Sequence, residues 1–176
     1  ALADGSGCML TVCVLNRTRN EVITIQAGVA AAVMFARGRG HDQPLTEDHR
    51  LATSASEQRR LLDLGVHLAP EQDAHGAPCG PLRAWPGGLT CARAIGNLGP
   101  PRAVLPLPSC SIVTVPPAGG DLIIGSHGVW GELLASHVAS CARASPSADT
   151  AARIIVESAI AQHTSYYQEG YGVPME

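Results

Sequence analysis

The sequence predicts a single α+β domain, in which short antiparallel strands dominate the first part and two helices close the chain. Three observations favour this class. Strand-like apolar runs bounded by turn residues occupy residues 8–36 and recur at residues 111–124. Helical periodicity is found at residues 54–64 and again after residue 131. The length of 176 residues and an apolar content of 45% fit one domain with a sizeable core.

Five strands are predicted. Residues 8–15 and 22–25 are rich in β-forming side chains and flank a polar turn, so they predict a hairpin. Residues 30–36 form a third apolar run, and three adjacent antiparallel strands are the simplest product. Two further short strands are expected at residues 111–115 and 121–124, because the segment between them, PPAGG, favours a turn.

Three helices are predicted. Residues 54–64 fit a short amphipathic helix that ends at Gly65. A second helix is expected at residues 131–143. The last one is expected to begin with Ser145 as its N-cap and Pro146 as its first helical residue. Its apolar face would carry Ala151, Ile154, Ile155 and Ala159.

No periodicity survives between residues 66 and 87, and four prolines are spread through this stretch. The segment is therefore predicted to be a long loop or insertion within the single domain formed by residues 1–176. Loops of this length are usually functional or partly disordered.

Composition excludes several classes of partner. The net charge is −3 and every basic residue is Arg, which disfavours a nucleic-acid binder that neutralises phosphates. No apolar stretch reaches the ~18 residues that a membrane span needs, and no signal peptide is found. The six cysteines form no CxxC pair, so reduced, mostly buried thiols and an intracellular compartment are expected.

General catalytic motifs are scarce in this sequence. The seven histidines include no HxxxH or HExxH pair that would place two imidazoles on one helical face. Ser126 lies in a glycine-rich stretch, but Ile124 occupies the place of the first glycine in a GxSxG motif. Neither a P-loop nor a dinucleotide fingerprint is present.

Six separated segments, in order, resemble the metal-dependent protein Ser/Thr phosphatases of type 2C. The strongest match is residues 88–97, GLTCARAIGN, beside the family's Gly-Leu-Ala-Val-Ser-Arg-Ala-Ile-Gly-Asp. Residues 121–131, DLIIGSHGVWG, resemble its Asp-Phe-Leu-Ile-Leu-Ala-Ser-Asp-Gly-Leu-Trp-Asp. The other matching segments are residues 5–7, 23–33, 45–49 and 57–65. The resemblance implies a partial α-β-β-α sandwich of antiparallel sheets flanked by helices, lacking the family's N-terminal segment.

The resemblance also implies where catalysis would take place. In the family, acidic residues hold Mn²⁺ or Mg²⁺ ions, which activate a water for attack on the phosphoester. Val29 stands at the Asp of Gly-Asp-Ser-Arg, and Ala31 replaces its Arg. His127 replaces the Asp of Ser-Asp-Gly, Gly131 the Asp after Trp, and Asn97 the Asp of Ile-Gly-Asp. We therefore expect no catalytic residue, no bound cofactor and no metal in these 176 residues.

Two functions follow as hypotheses. The first is a catalytically inactive type 2C phosphatase-like domain, acting as a protein-interaction or structural module. Its partner would be another protein or the remainder of a larger chain or complex, in the cytoplasm or associated with the cytoskeleton. The alternative is an active metal-dependent protein Ser/Thr phosphatase, using Mn²⁺ or Mg²⁺, whose missing ligands come from an absent N-terminal part. An intact Asp-Gly-His-Gly-Gly motif upstream would favour that alternative.

Overall fold

The computed structural model describes residues 6–38, 40–97 and 103–170, with side chains as far as residue 165. In chain order the elements are β1 (Gly7–Cys8), β2 (Leu10–Asn16), β3 (Glu21–Ala27), β4 (Ala31–Ala36), β5 (Gln43–Pro44), α1 (Ala55–Asp63), β6 (His67–Gln72), β7 (Pro78–Trp85), β8 (Ile95–Gly96), β9 (Ser109–Thr114), β10 (Gly120–Gly125), α2 (His127–Trp130), α3 (Ala135–Ala144) and α4 (Ala148–Gly170). The mixture of helices with antiparallel strands confirms the predicted α+β class.

Contacts divide the chain into two compact units. Unit 1 comprises Ala1–Ala32 and Pro44–Val115, and unit 2 comprises Val33–Gln43 and Pro116–Glu176. The assignment of residues 1–176 to a single domain stays a prediction, because two contact units can belong to one folding domain.

The main sheet of unit 1 is three-stranded and antiparallel, in the order β2-β3-β9. Its β2–β3 hairpin confirms the first predicted pair of strands. The expectation that residues 30–36 pair next to it is wrong, because β4 lies between β10 and β5 instead. At the end of β3 the buried Gln26 amide donates to the carbonyl oxygens of Gly28 (2.7 Å) and Ala30 (3.1 Å). These bonds hold a turn that leaves the sheet, so the chain does not fold back onto β3.

The segment 66–87, predicted as a long loop or insertion, contains an antiparallel hairpin of β6 and β7. Its turn is closed by the Asp73 carboxylate, which accepts from the backbone N–H groups of His75 (2.9 Å) and Ala77 (2.8 Å). The Trp85 indole donates to the carbonyl oxygen of Ala69 across the hairpin. The prolines therefore interrupt the sequence pattern without preventing strand pairing.

Helix α1 packs one face into the core of unit 1, as its periodicity predicted. Leu61 is fully buried, while Leu62 and Leu64 remain exposed. The helix is followed by Gly65, whose φ of +75° suits glycine at this position. In the described part of the unit, one apolar cluster consists of Leu51, Leu61, Ala84 and Ala92, and another of Cys91, Ala94 and Val104.

Unit 2 packs its helices around Phe35 of β4, with Val138, Ala139 and Ile155. The helix expected at residues 131–143 is observed as α3, which begins only at Ala135, and the short helix α2 before it was not predicted. Helix α4 begins at Ala148, and the predicted N-cap at Ser145 is wrong. The Ser145 hydroxyl donates to the Cys141 carbonyl oxygen at the end of α3, whereas Ser147 accepts from the Thr150 N–H (3.2 Å).

All six cysteines are free, as expected. The expectation that most are buried is wrong, because only Cys91 is buried while Cys8, Cys79 and Cys110 are exposed. Among the helices in the described part of the chain, none is both long and apolar enough to cross a membrane.

Candidate functional site

The positions singled out from the sequence fall in both units. Val29 and Ala31 belong to unit 1, on the turn after β3 and at the start of β4. His127 and Gly131 belong to unit 2, at the two ends of the short helix α2. Each pair is described within its own unit.

Val29 is part of the apolar packing of unit 1. Its isopropyl group lies against the cluster of Cys91, Ala94 and Val104. The preceding Gly28 has φ of +114°, and Met9 covers its Cα so closely that any side chain there would collide with the thioether chain. The turn is therefore held by packing on an apolar neighbour, and a carboxylate at position 29 would meet hydrocarbon on the side where Val29 packs.

His127 and Gly131 lie against each other in unit 2. A Cβ atom added to Gly131 would lie 2.9 Å from the His127 carbonyl oxygen and 3.1 Å from Cε1 of its imidazole. The Gly131 N–H donates to the same carbonyl oxygen at 2.7 Å. The imidazole thus crowds the place that the Cβ atom of a side chain at position 131 would occupy. His127 in this orientation therefore favours glycine at position 131.

Asn97 has a conformational role. Its φ of +52° is in the left-handed region, which Asn tolerates better than most residues. Its backbone N–H donates to the Ser6 carbonyl oxygen at 2.8 Å, and its side-chain amide packs directly on Gly7. This residue therefore helps to close the small β1–β8 ladder.

A buried ion cluster lies beside the two apolar clusters in unit 1. Glu57 is 4% exposed and accepts from Arg60 Nε (2.7 Å) and Arg93 Nε (2.6 Å). Burial opposes ionisation of Glu57, yet the hydrogen bonds and charges of both arginines leave its pKa below the usual value. Arg60 also donates to the carbonyl oxygens of Ala92 and Ala103. The cluster ties α1 to the segment carrying the strongest family match.

His49 and Ser109 were not recognised as an interacting pair from the sequence. His49 is 1% exposed, and its Nε2 lies 2.8 Å from Ser109 Oγ. Ser109 Oγ lies 2.7 Å from Glu47 Oε2 and accepts from Arg93 Nη1 at 3.1 Å. A Ser–His contact of this length is found in nucleophilic sites, but this hydroxyl also contacts Glu47 and Arg93, which tie it into the ion cluster. His49 falls in the 45–49 family match, whereas no sequence signal pointed to Ser109.

In neither unit do the side chains that the resemblance places at the family's acidic positions supply the oxygen donors that hard divalent cations need. Mn²⁺ and Mg²⁺ prefer carboxylate and carbonyl oxygens, and the side chains of Val29 and Gly131 supply none. His127 supplies only a nitrogen. Within residues 6–38, 40–97 and 103–170 no group of three His, Cys, Asp or Glu side chains is arranged to hold a metal ion.

Comparison with known proteins gives the family. The family model described as "Protein phosphatase 2C" matches residues 2–166. The chain belongs to the protein phosphatase 2C family. It is 40% identical over 157 residues to "Probable protein phosphatase 2C 5" of Arabidopsis thaliana, and 33% identical over 160 residues to "Probable protein phosphatase 2C 69" of rice, Oryza sativa subsp. japonica.

These alignments cover 89% and 91% of this chain but only 36% and 37% of the two relatives. The chain therefore spans about a third of the length of the curated phosphatase 2C relatives that it matches. A serine-threonine phosphatase 2C from Toxoplasma gondii has the same fold, with a TM-score of 0.74 and 19% identity. That match covers 92% of this chain and 54% of the other.

The chain matches the family unevenly along its length. The phosphatase 2C segments that form strands, turns and helices are present here, including the one around Arg93 and its partner Glu57. Val29, His127, Gly131 and Asn97 are the residues that the resemblance places at the family's acidic positions. The segments that build the fold of this phosphatase 2C chain thus match the family, whereas the four positions at which the resemblance expects an acid do not.

Proposed function

We propose that this chain is a catalytically inactive phosphatase 2C domain that acts as a protein-interaction or structural module within a larger chain or assembly. The packing of Val29 against Cys91, Ala94 and Val104 is the observation that carries the proposal. An unpaired carboxylate in contact with apolar side chains is costly, so this position is suited to packing and unsuited to an ion. His127 and Gly131 support the same conclusion, because neither supplies an oxygen ligand from its side chain.

An exposed sheet face supports the interaction role. In β2-β3-β9 the register places Val12 opposite Ile25, and Ile25 opposite Cys110, so these side chains share one face. The exposed apolar residues of this face are Leu10, Val12, Val14, Ile25 and Ile112, with exposed fractions from 39% to 66%. The opposite face carries Thr24 and Gln26, each only 1% exposed. Apolar side chains on this face of the sheet are thus exposed to water in this chain.

We infer that this face binds a protein segment with an apolar surface. An exposed apolar patch of this kind marks an interaction site, and the residues that form it include no basic side chain for a nucleic acid or a lipid headgroup. The segment would come from the remainder of a larger chain, with a separate protein partner as the other outcome. The six free cysteines suit a reducing, intracellular location for such a complex.

The second candidate is an active Mn²⁺- or Mg²⁺-dependent phosphatase. Its support is the names of the curated relatives, which describe protein phosphatases. For this function, ligands from outside these residues would have to replace the acids absent at positions 29, 127 and 131.

Turnover of an aryl phosphate by the complete natural chain distinguishes the two candidates. We expect the rate with Mn²⁺ to equal the rate after metal chelation. A phosphatase 2C that retains the family's acidic residues serves as the positive control. Metal-dependent turnover above the chelated background would establish the enzyme instead.

One substitution made in two contexts tests the interaction face. Ile112→Ser is expected to change the stability of residues 1–176 by less than about 0.5 kcal/mol, because Ile112 is exposed there. In the complete natural chain or its complex the same change should cost about 1–3 kcal/mol, because the side chain is then covered. Leu64→Ser, at an exposed position outside this face, should be neutral in both. Equal effects of Ile112→Ser in the two contexts would remove the proposed interface.

A further inference from the structure

The buried imidazole of His49 has partners suited to two protonation states. Its Nδ1 lies 3.1 Å from the carbonyl oxygen of Gly28 and 3.4 Å from the Gly28 nitrogen, and its Nε2 lies 2.8 Å from Ser109 Oγ. The ring itself is 1% exposed. Any proton that reaches it without unfolding must therefore travel along hydrogen-bonded groups.

Ser109 connects the imidazole to solvent. Its Oγ is 2.7 Å from Oε2 of Glu47, whose side chain is 71% exposed. A hydroxyl has one proton, so Ser109 can donate either to His49 Nε2 or to Glu47, but not to both. With neutral His49, Nδ1–H donates to the Gly28 carbonyl oxygen and Ser109 donates to Nε2. With an imidazolium, Nε2–H donates to Ser109 Oγ and the hydroxyl donates to Glu47.

The charges around His49 come from three parts of unit 1. Arg93 donates to Ser109 Oγ at 3.1 Å, and Glu57 of α1 neutralises that arginine while also binding Arg60. Glu47 lies on the same segment as His49, with Oε2 3.7 Å from Nε2. The negative charges of the two carboxylates equal the positive charges of the two guanidiniums only while the His49 imidazole is neutral. A protonated His49 would add a second cationic donor to the Ser109 oxygen that Arg93 already uses.

We propose that Glu47, Ser109 and His49 form a proton relay, and that protonation of the buried His49 makes unit 1 sensitive to mildly acidic pH. A proton taken up by Glu47 Oε2 passes to Ser109 Oγ as the hydroxyl proton passes to His49 Nε2. The Oε2–H and original Oγ–H bonds break while new Oγ–H and Nε2–H bonds form. Glu47 and Ser109 are regenerated and His49 gains one proton. This relay does not depend on the proposed absence of catalysis.

The direction of the effect follows from the surroundings of the ring. Burial, followed by the positive charge of Arg93, lowers the pKa of His49 below its ordinary value, although Glu57, the Gly28 carbonyl and Glu47 act in the opposite sense. The unfolded chain therefore binds the proton more readily than the folded one. Stability is fully present above the unfolded pKa of about 6.5 and is lost as the pH falls below it.

Thermal unfolding of the complete natural chain between about pH 8 and pH 5, the range in which histidines titrate, tests the proposal. The midpoint should fall with pH in the wild type, and His49→Gln should reduce that fall. His67→Gln, at an exposed histidine in β6, should leave it unchanged. A wild-type pH dependence that persists in His49→Gln would overturn the proposal.

A second measurement covers the case in which His49→Gln fails to fold. In ¹⁵N-histidine NMR spectra, His49 should titrate at lower pH than exposed histidines. Ser109→Ala should move this titration lower still, because the imidazolium loses its acceptor, and Ser109→Thr should restore it by keeping the hydroxyl. A titration that coincides with exposed histidines, or is the same in Ser109→Ala and the wild type, would contradict the relay.

Discussion

Val29 in unit 1 and His127 in unit 2, which the resemblance places at acidic positions of the family, lie in different surroundings. Val29 packs against the apolar cluster of Cys91, Ala94 and Val104. His127 is exposed, and its ring fills space left by Gly131. Val29 thus packs against a core cluster, whereas His127 and Gly131 form a local steric arrangement. A carboxylate at position 29 should therefore destabilise unit 1 because it contacts apolar side chains. A carboxylate at position 131 should destabilise unit 2 because it crowds His127, and removal of the His127 ring can relieve that crowding.

The same contrast applies to charged groups. In unit 1 the carboxylate of Glu57 is buried between Arg60 and Arg93. In unit 2 the Arg37 side chain is 62% exposed and binds Asp121 at 2.6 Å. A short distance therefore does not indicate a strong contribution, because solvent screens the exposed pair.

Arg93→Met should have the largest effect. It removes one of two cations from Glu57 and a donor from Ser109, and breaking a buried pair typically costs about 3–5 kcal/mol. Arg37→Met, the matched change at an exposed pair, should cost about 0–1 kcal/mol. Chemical denaturation of both variants measures the difference. Equal losses would show that burial does not distinguish the two ion pairs.

Val29→Asp should cost about 1–3 kcal/mol at neutral pH, because the introduced carboxyl meets apolar side chains. Contact with hydrocarbon should raise the pKa of that carboxyl, so the loss should shrink as the pH falls towards 4. Val29→Thr keeps the shape without the charge and should show no such pH dependence. Denaturation midpoints at two pH values provide the comparison. A loss independent of pH would mean that charge is not the cause.

Gly131→Asp should destabilise unit 2 by about 1–2 kcal/mol, since an added Cβ crowds the His127 carbonyl oxygen and ring. His127→Asp combined with Gly131→Asp should recover part of this loss because the ring is removed. A double-mutant cycle by thermal unfolding measures the coupling. Gly131→Ala, which adds only the Cβ, should behave like Gly131→Asp. Strictly additive effects would show that the two positions are independent.

Asp48→Asn should have the smallest effect. Burial raises the pKa of this carboxyl, but hydrogen bonds from Arg50 and Thr53 outweigh it and lower the pKa to about 2. The stabilisation is present above the ordinary pKa near 4 and disappears as the pH falls towards 2. Both side chains of the Asp48–Arg50 pair are more than a third exposed, so the loss at pH 7 should stay below about 1 kcal/mol. An acid titration of stability that is identical in the variant and the wild type would contradict this assignment.

The features that could be predicted from the sequence are those governed by local pattern. The β2–β3 hairpin follows from alternating apolar runs around a polar turn, and α1 follows from its leucines and Gly65. The β6–β7 hairpin was not predicted because prolines interrupt the strand pattern of residues 66–87. The bonds that stabilise it, at the Asp73 turn and from Trp85 to Ala69, are not visible in the sequence.

The candidate site shows the same limit. The residue types at positions 29, 127 and 131 can be read from the sequence, but their surroundings cannot. That Val29 packs on Val104, and that His49 meets Ser109, depends on pairings 60 or more residues apart. The surroundings of these residues therefore follow from long-range packing, which the sequence pattern does not reveal.

Calorimetric titration of Mn²⁺ and Mg²⁺ into the complete natural chain tests the central claim most directly, because it needs no substrate. We expect neither ion to bind better than weakly. His127→Asp alone should not change this, since a site without its other carboxylates cannot hold two divalent ions. Micromolar affinity for Mn²⁺ in the wild-type chain would contradict the claim that Val29, His127 and Gly131 have removed the metal site.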